Sequence, residues 1–290
     1  MSDVLLVSCA DLPAGDEDAA MLEAAIGRQG VDAKWVVWSD PDVDWTRSLA
    51  VIRSTWDYTP RRTQFLAWAA AVPRLVNPAD VVAWNSDKTY LRDLAGVGVP
   101  IVPTAWSAPG EVVALPAEGE YVVKPSVGAG SRGAGRFRAA AGREARAHAA
   151  RLHDAGRVVL VQPYLSDVDT LGETALIYLD GVFSHAVRKG AMLPAGVVHP
   201  VDGHDLYVEE RITSHTARAD ELAVGDQALR AVRDRFGADL IYARVDLLPT
   251  EGGPLLVELE LTEPSLFLGY DEGAADRFAV AITRRLQEQP

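Results

Sequence analysis

The sequence predicts an α/β protein: a leading parallel sheet wrapped in helices, then a small lobe, then a lobe built on antiparallel strands. Three observations lead there. Over the first hundred residues short apolar runs alternate with helical stretches, the pattern of a covered parallel sheet. An apolar strand ending in Lys124-Pro125 is followed by a loop with four glycines between positions 128 and 135. Two hairpin signals, at Asp180-Gly181 and Glu251-Gly252-Gly253, call for antiparallel pairing.

Each element follows from its local pattern. Residues 4–7, 35–38 and 49–52 are apolar runs, and 75–76 is a short strand-like pair. Residues 19–26 and 65–72 have helical character, the first ending at Gly27 and Gly30. Ser86 or Asp87 suits the cap of a helix running to about Ala95, with Gly96 beyond its end. The Pro- and Gly-bearing stretch 99–119 connects to the second lobe. That lobe has strands at 121–124, 136–138 and 158–161 and an Ala/Arg-rich helix at 139–154. The third lobe has a hairpin of 173–179 with 182–188, a long loop over 190–213 and a helix over 217–236. A second hairpin pairs 240–248 with 255–261, and a last helix covers 274–286. The expected division is 1–106, 107–165 and 166–290.

Composition narrows the function. The chain has 290 residues, 48% hydrophobic and 24% charged, in keeping with a globular protein of two or three lobes. A net charge of −13 argues against a nucleic-acid-binding face. No apolar run approaches a membrane span, and the opening MSDVLLVSCADLP reads as a first strand rather than a signal peptide, so a cytoplasmic location is expected. The single cysteine, Cys9, excludes an internal disulfide and a Cys-rich zinc site, and the six histidines show no H-x-x-x-H spacing.

The hairpin IYARVDLLPTEGGPLLVELEL carries the most chemistry. Centring its loop on Gly252 sets Asp246 opposite Glu258 and Arg244 opposite Glu260, all four on one face because strand side chains alternate. Two facing carboxylates at about 5 Å and an effective dielectric near 20 repel by roughly 3 kcal/mol. A divalent cation would relieve this, and hard oxygen ligands without His or Cys point to Mg²⁺. The plainer reading is a solvated acidic hairpin with Arg244–Glu260 as a surface pair.

Gly128-Ala-Gly130-Ser-Arg-Gly133 fits G-x-G-x-x-G, yet it follows a linker and leads into a strand, not a helix, and no G-K-[ST] follows. A dinucleotide oxidoreductase is therefore the weakest reading. A flap between two antiparallel strands is the better one, closing over phosphates with backbone N–H groups, Ser131 and Arg132. A disordered surface loop, with Lys124 a snorkelling lysine, is the alternative.

Taken together, WNSDK, VVKP, the glycine loop, QPYL, GETAL, HAVRK, ARVD and ELELTEPSLFL resemble the ATP-grasp ligases, the family of D-alanine–D-alanine ligase and glutathione synthetase. LRSTWDY-like residues 52–58, WNSDK, SHAVRK and ELELTEPSLFL are most similar to an actinobacterial biosynthetic subgroup that includes the O-ureido-serine cyclo-ligase. The resemblance implies ATP with one or two Mg²⁺ ions, Mn²⁺ being able to substitute, a small amino-acid-like substrate and, as a family expectation, a homodimer. It implies that Lys88 and Lys124 contact the nucleotide and that Ser126, Gly128, Gly130, Ser131, Arg132 and Gly133 form the flap. Gln162, Tyr164 and Leu165 would hold adenine, and Glu173 the ribose. Arg188 and Lys189 match a basic position near the transferred phosphate. Asp246 and Glu258 match metal ligands, with Glu260 standing where the family usually has Asn. Thr262-Glu-Pro-Ser265 replaces the usual substrate loop, so D-alanine specificity does not carry over. The implied chemistry is attack of a carboxylate on the γ-phosphate, then of an amine on the acyl phosphate, with Arg244 stabilising the oxyanion and no side chain assigned as general base. A non-catalytic ATP-binding module on the same fold is the rival from another class.

Substrate candidates come from the rule that ligands gather at strand C-termini in open α/β sheets. Ser8 and Asp11 follow the first strand; Arg53 and Asp57 follow a later one. Arg53 suits a carboxylate fork or a structural bridge to Asp57 or Asp11, and Trp56 and Tyr58 suit packing on the next helix. His199 and His204, in the long loop, read as exposed polar residues.

Overall fold

A computed structural model describes residues 3–191, 193–194, 196–199 and 211–288. His204, read from the sequence as an exposed polar residue, lies outside them. The first sheet is wholly parallel, formed by β1 (Val4–Ser8), β2 (Ala33–Val37), β3 (Leu49–Ser54) and β4 (Leu75–Val76) in the order β2-β1-β3-β4. β1 and β3 are buried along their whole length, which is why they read as unbroken apolar runs. Helix α1 (Ala19–Arg28) lies on one side, and α2 (Arg62–Ala71) packs Phe65 against Trp38 and Tyr58 on the other.

The helix expected from Ser86 or Asp87 is two short helices, α3 (Ala79–Asn85) and α4 (Tyr90–Gly96). Between them the Asp87 carboxylate accepts the Thr89 N–H at 3.0 Å, and the Lys88 N–H donates to Ser126 O at 2.8 Å. That tertiary bond takes the donor a continuous helix would need, so Lys88 projects from a turn.

The second sheet has the order β5-β8-β6-β7, from β5 (Ala105–Ser107), β6 (Glu120–Pro125), β7 (Gly135–Arg138) and β8 (Val159–Pro163), with α5 (Gly142–Asp154) against it. The glycine loop joins β6 to β7, two antiparallel strands, as a flap and not as the entry to a helix. After the short α6 (Val168–Leu171) comes the third sheet, of β9 (Glu173–Leu179), β10 (Val182–Lys189), β11 (Ile212–His215), β12 (Tyr242–Leu248) and β13 (Leu255–Glu260), ordered β11-β10-β9-β12-β13 and antiparallel throughout. Asp180 (φ 52°) and Gly181 (φ 75°) form the left-handed two-residue turn that the sequence called for between β9 and β10. Helix α7 (Ala219–Phe236) covers one face of this sheet and α8 (Ala274–Glu288) the other.

Two strands were not anticipated. β5 has three residues and β11 four, too short to show a period. Part of the long 190–213 stretch also lies along the flap, where the His199 N–H donates to Ala134 O at 2.9 Å.

One core unites the first and third sheets: Val4, Leu6 and Val51 share a buried cluster with Ile177, Tyr242 and Phe278, with α1 against α8. Asn77, at the end of β4, spans the joint. Its amide donates to Tyr242 O (3.0 Å) and Leu261 O (2.8 Å), and its oxygen accepts the Ile241 N–H (2.9 Å).

Candidate active site

A cleft of about 1030 Å³ opens where the three sheets meet. Its floor is the β12–β13 hairpin, in the expected register: Arg244 opposite Glu260 and Asp246 opposite Glu258, with an irregularity only beyond Asp246. All four side chains line the cleft.

The hairpin is not a bare acidic face. Asp246 accepts from Lys189 Nζ (2.9 Å) and from Arg244 Nε (3.0 Å) and Nη2 (2.9 Å). Arg244 also binds Glu260, and its Nη1 donates to Ser265 O at 3.2 Å. Glu258 pairs with Lys88 at 2.8 Å, and Lys189 pairs with Glu173. The expected repulsion is therefore met by lysine and arginine in the protein itself. Among the described residues no three acidic, His or Cys groups form a ready metal cage.

Titration behaviour follows from this pairing. Burial pushes the Asp246 carboxyl up, but Arg244 and Lys189 outweigh it and hold it at about 2. Burial likewise opposes ionisation of Glu258, and Lys88 and Lys124 bring it below the ordinary value. Glu260 is pushed up to about 7 by burial, with Asp246 and Glu258 adding to what Arg244 only partly offsets. Glu263 rises to about 8 through burial and the neighbouring Glu260. Lys124 is lowered by burial, with Lys88 adding like charge, and among the described residues it has no carboxylate within ion-pair distance.

The raised carboxyls set a pH dependence. In the folded protein Glu260 and Glu263 keep protons that the unfolded chain has lost, so stability favours lower pH. Their contribution is complete below the unfolded carboxyl value of 4.5 and is lost as pH rises through about 7 to 8. Thermal melts of ligand-free protein are expected to give a Tm lower by roughly a few degrees at pH 9 than at pH 6. A double E260Q/E263Q variant should flatten that difference.

The nucleotide candidates divide. Lys88, Lys124, Gly128, Gly130, Ser131 and Arg132 line the cleft. Lys88 Nζ donates to Gly128 O at 2.7 Å, tying the flap to Glu258. Ser126 and Gly133 do not line it: Ser126 is buried with its carbonyl on Lys88 N, and Gly133 O lies 2.9 Å from His148 Nε2 at the flap's base. Gln162, Tyr164 and Leu165 line the far end. The Gln162 amide nitrogen is engaged by Thr104 Oγ1 at 3.0 Å and the Tyr164 N–H by Glu120 O at 2.8 Å.

Arg188 and Lys189, taken together in the sequence, separate. Adjacent strand residues face opposite ways, so Lys189 enters the cleft and Arg188 lies behind the sheet beside His215 (3.0 Å) and Glu221 (3.6 Å). Gly172, just before Glu173, has φ 72° and ψ 178°, and a Cβ there would lie 2.6 Å from Lys189 O. Gly172→Ala is expected to cost about 1–3 kcal/mol, seen as a lower midpoint in urea unfolding, and to slow turnover by displacing Lys189.

The substrate candidates Ser8, Asp11, Arg53 and Asp57 are all off the cleft wall. Ser8 donates to Val36 O at 3.4 Å within the sheet, and Asp11 is exposed. Asp57 accepts from Trp38 Nε1 at 2.7 Å and pairs with Arg61. Arg53 is fully buried at a bulge in β3, between the Tyr242 and Phe278 rings. Its nearest carboxylate is Asp16, at 3.7 Å, and neither Asp57 nor Asp11. Tyr58 packs on Phe65 of α2 as expected, Trp56 instead donates its indole N–H to Glu263 O, and both line the cleft.

Sequence reasoning missed Asp16, Asp18, Asn85 and Glu263, all on the wall. Asn85 holds β13 in place, donating to Leu259 O (2.8 Å) and accepting from Leu261 N (2.7 Å). Glu263 falls beyond the strand, where alternation gives no direction. Its sequence signals are its place just past Glu258 and Glu260 and within Thr262-Glu-Pro-Ser265, the stretch that replaces the usual substrate loop, although neither assigns it a role.

This architecture is that of an ATP-grasp ligase. D-alanine–D-alanine ligase from Bacillus anthracis superposes with a TM-score of 0.65 at 12% identity over 99% of this chain and 98% of that one. The ATP-grasp ligase PsnB, complexed with a minimal precursor, gives 0.62 at 16% over 98% and 99%. The crystal structure of D-cycloserine synthetase DcsG gives 0.88 at 39% identity over 98% and 99%. A family model for the N-terminal domain of D-cycloserine synthetase DcsG matches residues 4–77. The cycloserine biosynthesis protein DcsG of Streptomyces lavendulae is 40% identical over 300 residues, 98% of each chain. The chain belongs to the cycloserine-synthetase family of ATP-grasp ligases and is an ATP-dependent enzyme of biosynthesis. No helix among the described residues is long and apolar enough to cross a membrane.

Proposed function

We propose that the enzyme activates the carboxylate of a small amino acid as an acyl phosphate, forming ADP, and then closes a ring within the same molecule, as in cycloserine assembly from O-ureido-serine. The convergence of Lys88, Lys124, the flap and the Arg244–Asp246–Lys189 network on one cleft carries the ligase chemistry. Likeness to cycloserine biosynthesis proteins along nearly the whole chain supports ring closure over joining two molecules. The reading includes three working lobes, 1–106, 107–165 and 166–290, and a cytoplasmic setting.

Asp246, Glu258 and Glu260 fit Mg²⁺ as hard oxygen donors, yet each already has a cationic partner. The set therefore suits an ion held by one or two carboxylates together with nucleotide phosphates, rather than an all-protein cage. Bound there, Mg²⁺ supplies neutralisation of phosphate charge. Lys124, without a carboxylate partner, receives a phosphate oxygen. Lys88 exchanges Glu258 for phosphate and frees that carboxylate. Lys189 lies beside the transferred group, and Arg244 stabilises the oxyanion of the tetrahedral intermediate. The flap excludes water from the acyl phosphate.

Mass spectrometry of a reaction with ATP, Mg²⁺ and O-ureido-serine tests this. ADP with a ring-closed product from that single substrate is expected. AMP and pyrophosphate would overturn acyl phosphate formation, and ADP appearing only when a second amine is added would replace ring closure by ligation.

A further inference from the structure

The geometry points to Glu263 as the catalytic residue that accepts the proton of the attacking nitrogen, an inference that rests on the ligase reading above. Among the described residues, the cations around it are committed elsewhere: Lys88 to Glu258, Lys189 to Glu173 and Asp246, Arg244 to Asp246 and Glu260. Glu263 meets instead the hydroxyl of Tyr58, itself on the cleft wall. Among the described residues no cation lies within ion-pair distance of Glu263, so burial keeps it protonated in the ligand-free cleft. Its ionised form, the one able to take a proton, is completed when a ligand group bearing N–H enters. The group that suits it is a nitrogen bearing a proton.

Its backbone is fixed from several sides. Trp56 Nε1 donates to Glu263 O at 3.0 Å, Tyr242 Oη to Thr262 O at 2.8 Å, and Arg244 Nη1 to Ser265 O at 3.2 Å. The last contact sets the loop beside the arginine that faces the developing oxyanion, the place from which a base must reach the nitrogen. The titratable groups facing it are Tyr58, Glu258, Glu260 and Lys88, and its upward shift makes the ionised form a stronger base than an ordinary carboxylate. In the step assigned to it, the nitrogen lone pair forms the C–N bond. The bond from acyl carbon to phosphate oxygen breaks, phosphate leaves with the electron pair, and the nitrogen's proton passes to a Glu263 oxygen.

The test compares wild type, E263Q and E263D with O-ureido-serine, measuring ADP, product and binding of ATP with Mg²⁺. For E263Q, product per ADP is expected to fall at least tenfold (about 10²-fold is typical of a lost general base) while nucleotide affinity stays within twofold. Hydroxylamine, which needs little help to attack, should trap the acyl phosphate as hydroxamate at near the wild-type rate. E263D should recover part of the ratio and guards against misfolding of the amide variant. An unchanged product-to-ADP ratio, whatever the absolute rates, overturns the role, as does weakened nucleotide binding with parallel loss of both products. Failure of the wild type to form ADP with this substrate would instead sink the ring-closure reading and is seen before any variant is made.

Discussion

Asp246→Asn is expected to lower ATP turnover by roughly 10²–10³-fold, the scale of losing one electrostatic contact in a transition state, and to lower stability as well. Asp246 is 1% exposed and is the common acceptor for Lys189 and Arg244. An amide keeps the shape but removes the charge, leaving two cations partly uncompensated inside the protein. Removing one member of a buried pair costs about 3 kcal/mol or more, which for a chain of this size is a Tm lower by about 5 °C. Steady-state ADP release and differential scanning calorimetry check the two halves separately. Turnover within fivefold of wild type would show that the network is structural and would overturn the proposed role of Asp246 as a metal ligand. Acid should mimic the substitution only at extreme pH. The folded carboxyl sits at about 2, so its contribution is present above the unfolded value of 3.8 and lost as pH falls through about 2.

Asn77→Ala is expected to be the most damaging change remote from the cleft. It removes three hydrogen bonds at once and leaves Tyr242 O, Leu261 O and Ile241 N buried without that partner. Each orphaned backbone group costs about 1–3 kcal/mol, so a loss of roughly 4 kcal/mol is expected, seen as a lower midpoint in urea. Because β12 and β13 carry Arg244, Asp246, Glu258 and Glu260, activity at low temperature should fall too. If stability changed by less than about 1 kcal/mol, the joint between the first and third sheets would have to rest on α1 against α8 alone.

The sequence made the β12–β13 register readable because strand alternation and a glycine-rich turn leave few ways to pair the two arms. The flap was readable for a related reason, its glycines lying between two apolar runs. Interactions between distant segments were not. That Lys88 leaves a helix to bond Ser126, or that Asp16 rather than Asp57 lies nearest Arg53, depends on lobes brought together by packing. The repulsion expected between Asp246 and Glu258 was real in register but answered by Lys189 and Lys88, which come from other elements. Glu263 escaped notice because periodicity assigns a face only within a strand. Resemblance to a family offered Arg188 and Lys189 as a pair, and elementary strand geometry separates them.

The flap residue Arg132 donates to Trp56 O at 2.6 Å, and the indole of the same tryptophan donates to Glu263 O at 3.0 Å. One residue of the first lobe thus touches both the glycine flap and the loop that carries Glu263. Ligands that each favour the arrangement joined through Trp56 must raise one another's affinity by the same factor, whichever binds first. Trp56→Ala keeps the backbone carbonyl that Arg132 binds but removes the indole bond to Glu263 O. Breaking that link should weaken the coupling, making the apparent affinity for ATP less sensitive to saturating amino acid.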